Sequence, residues 1–218
     1  MPMTTPTLTR TESEVRSSHL RAFRLPAIGA VDRVALVPEQ AVLLAGDQVT
    51  VSVRVPTGRA LEIVEPGGTV AYAMRGRQAR WDVTVELDEA AGLVWHGEPF
   101  VVAEGADVRR TLTAHLAASS SLALRETLVL GRSSEVPGRL VARTDVTRGG
   151  SPVLVEELDS ATGLGPHRVL DQVLRVGSGS RPGEHAMLLE SGETLERWLG
   201  AQTHASPLRL RHSSASPE

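Results

Sequence analysis

Apolar and polar residues alternate with a period of two along much of the middle of the chain. From Gln48 to Val55, the side chains of Val49, Val51, Val53 and Val55 share one side while Thr50, Ser52 and Arg54 take the other. Trp81, Val83, Val85 and Leu87 alternate with Asp82, Thr84 and Glu86, and Leu112, Ala114 and Leu116 alternate with Thr111, Thr113 and His115. Successive side chains on a strand point to opposite faces, so each run predicts a half-buried β-strand. Clusters of Gly, Pro, Asp and Ser separate the runs. One segment reads differently. In Glu193 to Leu199 the apolar Leu195, Trp198 and Leu199 stand at i, i+3 and i+4 with Gly200 behind them, which predicts a short helix with a glycine cap.

Aligning the turns gives a degenerate repeat. Val55 to Leu61, Leu87 to Leu93 and Leu116 to Leu122 each set five small or turn-forming residues between two apolar ones, and Thr147 to Val153 offers a fourth copy. The copies recur about every 30 residues, the scale of stacked β layers. The expected fold is all-β, either a β-solenoid or a large two-layer sandwich, with one or two short helices near the C-terminus. Residues 1–19 read as a disordered lead-in, 20–203 as one all-β domain and 204–218 as a flexible polar tail.

Composition narrows the chemistry. The 218 residues hold 23 basic and 26 acidic side chains, a net charge of −3, which argues against a nucleic-acid partner or an anionic membrane surface. Cysteine is absent, which removes disulfides, thiolate metal sites and cysteine nucleophiles. Lysine is absent too, so all basic side chains are arginine and Schiff-base and P-loop chemistry drop out. The opening residues lack the charged and apolar regions of a signal peptide, and no run nears the roughly 18 apolar residues of a membrane span. Cytoplasmic residence is the resulting expectation.

Candidate ligands gather in one stretch. Trp95-His96-Gly97-Glu98 is followed by Glu104, Asp107 and His115, and imidazole with carboxylate on a β scaffold suits a divalent metal. A metal-dependent β-fold enzyme using His96, Glu98 and His115 is therefore one reading, although a cupin-like site would place two histidines one residue apart. Glu65, Glu98, Glu126 and Glu156 recur after successive turns, so stacking would bring carboxylates together, to repel or to hold a cation. No nucleophile elbow, dinucleotide fingerprint or Walker A pattern is present. A generic β interaction module is the other open reading.

Five motifs in order carry a resemblance. Ala41 to Asp47, ending Ala-Gly-Asp before an alternating strand, resembles the glycine-rich "GGD" segment of the urease accessory protein UreD (UreH) family. Thr69 to Tyr72 sits where that family has a Lys- and Tyr-containing strand, and Trp95 through Asp107 is similar to its "W-L-P-Q … F-P-G-A" stretch. Glu126 to Arg132 is similar to its "D … LGR" signature, and Pro152 to Glu156 to its "P-L-L-V-E" strand. Val70 and Ala73 depart from the family's usual lysine and arginine, the segment from Leu20 to Val34 lacks its usual strand pattern, and the C-terminal region is short.

The resemblance implies a shortened, divergent member with no catalytic turnover. It implies a scaffold in a hetero-oligomer with UreF, UreG and apo-urease that helps to deliver nickel, with no tightly bound cofactor and only transient Ni(II). Asp47 and Glu156 match acidic positions of the family motifs and are the first candidates for a nickel conduit. Glu98, Glu126 and His96 follow.

Overall fold

A computed structural model describes residues 12–40, 42–177 and 186–208. Two strands, β1 (Glu14–Ser17) and β2 (Leu20–Ile28), one in each large sheet, precede a three-sided coil whose turns stack on one another. The first turn of the coil is β3 (Val31–Pro38), β4 (Val42–Leu43) and β5 (Gln48–Val55), and the second is β6 (Ala60–Val64), β7 (Thr69–Ala71) and β8 (Ala79–Leu87). The third is β9 (Gly92–His96), β10 (Phe100–Val102) and β11 (Asp107–Leu116). In the fourth, β12 (Ser121–Leu130) spans two sides before β13 (Arg139–Arg148). Of the two expected architectures the solenoid is the one present, as three parallel ladders: β3-β6-β9-β12, β4-β7-β10-β12 and β5-β8-β11-β13.

Antiparallel strands close both ends. β1 covers β5 and β2 covers β3, while β14 (Ser151–Asp159) returns along β13. On the opposite sheet β15 (Val169–Val176), β17 (Thr194–Gly200) and β16 (Ala186–Leu188) add outward from β12. The result is a six-stranded sheet, β1-β5-β8-β11-β13-β14, facing a larger one, with the short β4-β7-β10 ladder as the third wall.

The alternation noted in the sequence becomes rows of stacked side chains. Val53, Val85, Ala114 and Val146 are in register across the six-stranded sheet, and Leu61, Leu93 and Leu122 are in register across the other. All seven are buried between the sheets, and each valine and leucine among them contributes about 1.5–3 kcal/mol of hydrophobic stabilisation. The first three repeat turns are the corners between β5 and β6, β8 and β9, and β11 and β12, and they hold one another. Gly58 N donates to Glu89 O at 3.0 Å, Gly92 N to Arg59 O at 2.9 Å and Ser121 N to Ala91 O at 2.9 Å.

Several expectations need correction. The helix over Glu193–Leu199 is strand β17, because apolar residues lie on both of its faces: Leu195 enters the main core while Trp198 packs beside Val173 and Leu208 outside the sheet. The lone helical piece near that end among the described residues is a 3₁₀ turn at Thr203–Ala205. The lead-in is ordered from Glu14, since β1 pairs with β5 from Glu14↔Arg54 to Ser17↔Val51, whereas residues 1–11 lie outside the described residues. Leu20 to Val34 forms the β2–β3 hairpin despite its unfamiliar pattern. The fourth repeat, Thr147 to Val153, still stacks through Gly149 N on Leu116 O at 2.8 Å, but then reverses the chain as a hairpin. In the expected tail, Leu208 is buried; residues 209–218 lie outside the described residues.

Candidate functional site

A file of polar side chains interrupts the apolar core between the two large sheets. It begins where the row Val49, Trp81, Arg110, Ala142 turns from apolar to charged in the third coil turn. Arg110 shares the inward parity of Val108, Leu112 and Ala114, all buried, so β11 carries a guanidinium into the core. Its Cζ lies 4.9 Å from the centroid of the Phe100 ring and 5.9 Å from that of Trp81, which themselves meet edge to face at 5.4 Å. Arg110 Nη2 pairs with Glu126 Oε1 at 2.9 Å.

From Glu126 the file runs toward the closing strands. Gln172 Nε2 donates to Glu126 Oε2 at 3.0 Å, and Gln172 Oε1 accepts from Arg197 Nε at 3.1 Å and Nη2 at 2.8 Å. Arg197 then grips Glu156 with both Nη atoms, at 2.9 and 2.6 Å. In the other direction lies Glu65, whose carboxylate accepts from Trp95 Nε1 at 2.8 Å and from Glu98 N at 3.0 Å. Burial raises the Glu65 carboxyl above its ordinary value, and the Glu98 N–H, the Trp95 indole and the Arg110 charge only partly oppose this.

Small cavities follow the same line. One of about 30 Å³ is lined by Glu65, Glu98, Glu126 and Arg110 among Trp81, Trp95 and Phe100. A second of about 10 Å³ shares Arg110 and Glu126 and continues to Gln172. A third of about 230 Å³ shares Thr69 and Trp81 with the first and reaches Asp47. The two inner spaces suit a water molecule or a bare ion and fall far below the roughly 300 Å³ of an organic ligand pocket. Gly97 is needed at the first of them, because a Cβ there would meet Arg125 O at 2.4 Å.

The residues singled out from the sequence therefore fall in different places. Glu126 and Glu156 are in the file, and Glu98 stands exposed at the mouth of its first cavity. Asp47 lines the third cavity, where its carboxylate also closes a turn by accepting from Leu44 N at 2.8 Å. His96 has the opposite parity to the inward Trp95 and pairs at 3.1 Å with Glu62, which also holds Arg33 at 2.6 Å. His115 is exposed on β11 and meets Thr147 Oγ1 at 3.1 Å. The trio His96, Glu98 and His115 does not converge, and among the described residues no group of three or more His, Asp or Glu side chains is placed to hold a metal ion. Arg110, Gln172 and Arg197 went unremarked in the sequence. The signal for Arg110 was a charge at an apolar position of an alternating run.

The file carries Glu65, Glu126 and Glu156 against Arg110 and Arg197, so carboxylates outnumber guanidiniums within it. It offers no nucleophile paired with a base. What it offers is a succession of oxygen atoms, each already hydrogen-bonded, through an otherwise apolar interior. Among the described residues no helix is long and apolar enough to cross a membrane.

The family model described as UreD urease accessory protein matches residues 9–211. Urease accessory protein UreD 1 of Streptomyces griseus subsp. griseus is 38% identical over 191 residues, covering 79% of this chain and 75% of the relative. Urease accessory protein UreD of Streptomyces coelicolor is 35% identical over 210 residues, 88% of this chain and 82% of the relative. Urease accessory protein UreD 2 of Saccharopolyspora erythraea is 36% identical over 170 residues, which span 72% of this chain and 59% of the relative. These relatives are all named as urease accessory proteins. This chain belongs to the UreD family of urease accessory proteins.

Proposed function

We propose that this protein is a cytoplasmic maturation scaffold that docks with UreF and UreG on apo-urease and helps to pass nickel(II) inward. Family membership supports the scaffold part, and the polar file between Glu65 and Glu156 carries the nickel part. An ion crosses a protein when successive oxygen-lined sites bind it weakly enough to release it. Each carboxylate of the file is already engaged by an arginine, an amide or an indole, so a divalent cation meets competition at every step. Such sites favour transient occupancy over a resident metal, and the excess of carboxylates keeps the path attractive to cations. Asp47 and Glu98, at the cavities along this line, are the approach groups of the same reading.

The test is to co-express the tagged chain with UreF, UreG and the apo-urease subunits, and to assay co-purification and nickel-dependent urea hydrolysis with and without it. Co-purification together with activity lost on deletion is the expected result. A chain that associates with none of them and leaves urease activity unchanged overturns the proposal.

A further inference from the structure

A separate, larger cleft lies on the outside of the third wall, where the Gly131-Arg132 loop after β12 meets the segment after β17; its volume is about 500 Å³, within the range of small-ligand pockets. Its floor includes Val101 and Val129, and its polar lining includes Arg168, Ser133, Ser134 and Thr203. Arg168 is fixed in place. Its backbone N donates to Gly200 O at 3.0 Å, its O accepts from Leu130 N at 2.7 Å, and its Nη2 donates to Arg132 O. That guanidinium lies against Gly131, where a Cβ would meet Nη2 at 2.8 Å and where φ is +75°. Among the described residues no carboxylate pairs with Arg168.

The loop around it is also held before any ligand arrives. Glu135 accepts from Arg132 Nε at 2.7 Å, from Arg132 N at 2.8 Å and from Glu104 N at 3.3 Å, so the Arg132 charge is consumed within the loop. Arg132 also rests over the Tyr72 ring, Cζ to centroid 5.2 Å. Ser133 and Ser134 sit at the tip of this loop, and among the described residues their backbone N–H groups donate to nothing. A guanidinium with no carboxylate partner among the described residues, three hydroxyls and two amides that donate to none of those residues supply, on one cleft, more donors than a carboxylate has acceptors, and they match the several oxygens of a tetrahedral anion.

We propose that this cleft binds phosphate, either free or as the monoester of a small molecule. The proposal is independent of the nickel reading, since the cleft shares no lining residue with the interior cavities. Inorganic phosphate and adenosine monophosphate would each be titrated into the ¹⁵N-labelled full chain at constant ionic strength, following the amides of Ser133, Ser134 and Arg168. Saturable shifts at these positions are expected, with the dissociation constant rising at least tenfold in Arg168→Gln. Tenfold tighter binding of the nucleotide assigns the monoester, and equal binding assigns free phosphate. Should Arg168→Gln fail to fold, Ser133→Gly with Ser134→Gly, on the exposed loop tip, tests the hydroxyls by the same titration, with at least a threefold weakening expected. No saturable shift in the unmodified chain, or unchanged affinity in a folded variant, overturns the proposal.

Discussion

Arg110 is the residue on which the interior depends most. Its guanidinium is 17% exposed and its partner Glu126 13%, so removing one charge strands the other in a largely desolvated place. Arg110→Met keeps the contact with Trp81 and Phe100 but leaves Glu126 with only the Gln172 amide. A loss of about 2–3 kcal/mol is expected, measured by urea unfolding, with at least half regained in Arg110→Met/Glu126→Met. If the single variant unfolds with the parent, the pair is not a structural element of the core. Two carboxyls give opposite pH dependences. Burial raises Glu65 above 4.5, so the folded chain holds that proton more tightly than the unfolded one. Its contribution is complete below about pH 4.5 and is lost as pH rises through the raised value. Glu135 is held down to about 2 by the Arg132 side chain first and its N–H second, so its contribution is present above 4.5 and lost as pH falls toward 2. Urea midpoints followed across this range should lose the upper slope in Glu65→Gln and the acid slope in Glu135→Gln.

At the scale of elements, legibility followed burial. β5 could be read directly, because its burial alternates without a break from Gln48 to Val55. β17 could not, because β15 and β16 flank it and both faces find apolar neighbours, which erases the period-two signal and leaves Leu195, Trp198 and Leu199 at helical spacing. The same error hid Arg197, and with it half of the polar file. The glutamates of the file were legible because they recur at the spacing of the turns, but Gln172 and Arg197, which join Glu126 to Glu156, come from the closing strands, outside the repeat. β2 shows how an end is protected. It is an edge strand with Arg21 paired to Glu39 and Arg24 paired to Glu12, and Pro26 falls where its pairing with β3 shifts between Leu25 and Ile28. Charge and proline on an edge discourage added strands. Arg21→Val/Arg24→Val should therefore self-associate at concentrations where the parent sediments as a single species in analytical ultracentrifugation.

The whole molecule is a short stack of coil turns whose ends are sealed, and a solenoid of this kind transmits loss of packing to its nearest turns. The polar file spans that stack from Glu65 in the second turn to Glu156 on the closing strand β14, so any transport role belongs to the assembled fold and not to one site. Glu156 separates the two roles the fold could play. Glu156→Gln keeps an oxygen for Arg197, which remains bonded to Gln172, so stability should fall by only about 1 kcal/mol. Replacing the carboxylate removes one negative charge from the file and leaves the surface strands as they were. If nickel passes along the file, the variant co-purifies with the other accessory proteins as the parent does, while nickel-dependent activation of urease falls at limiting metal. Co-purification lost with the fold intact would instead make β14 part of a docking face, and unchanged activation would remove Glu156 from the path.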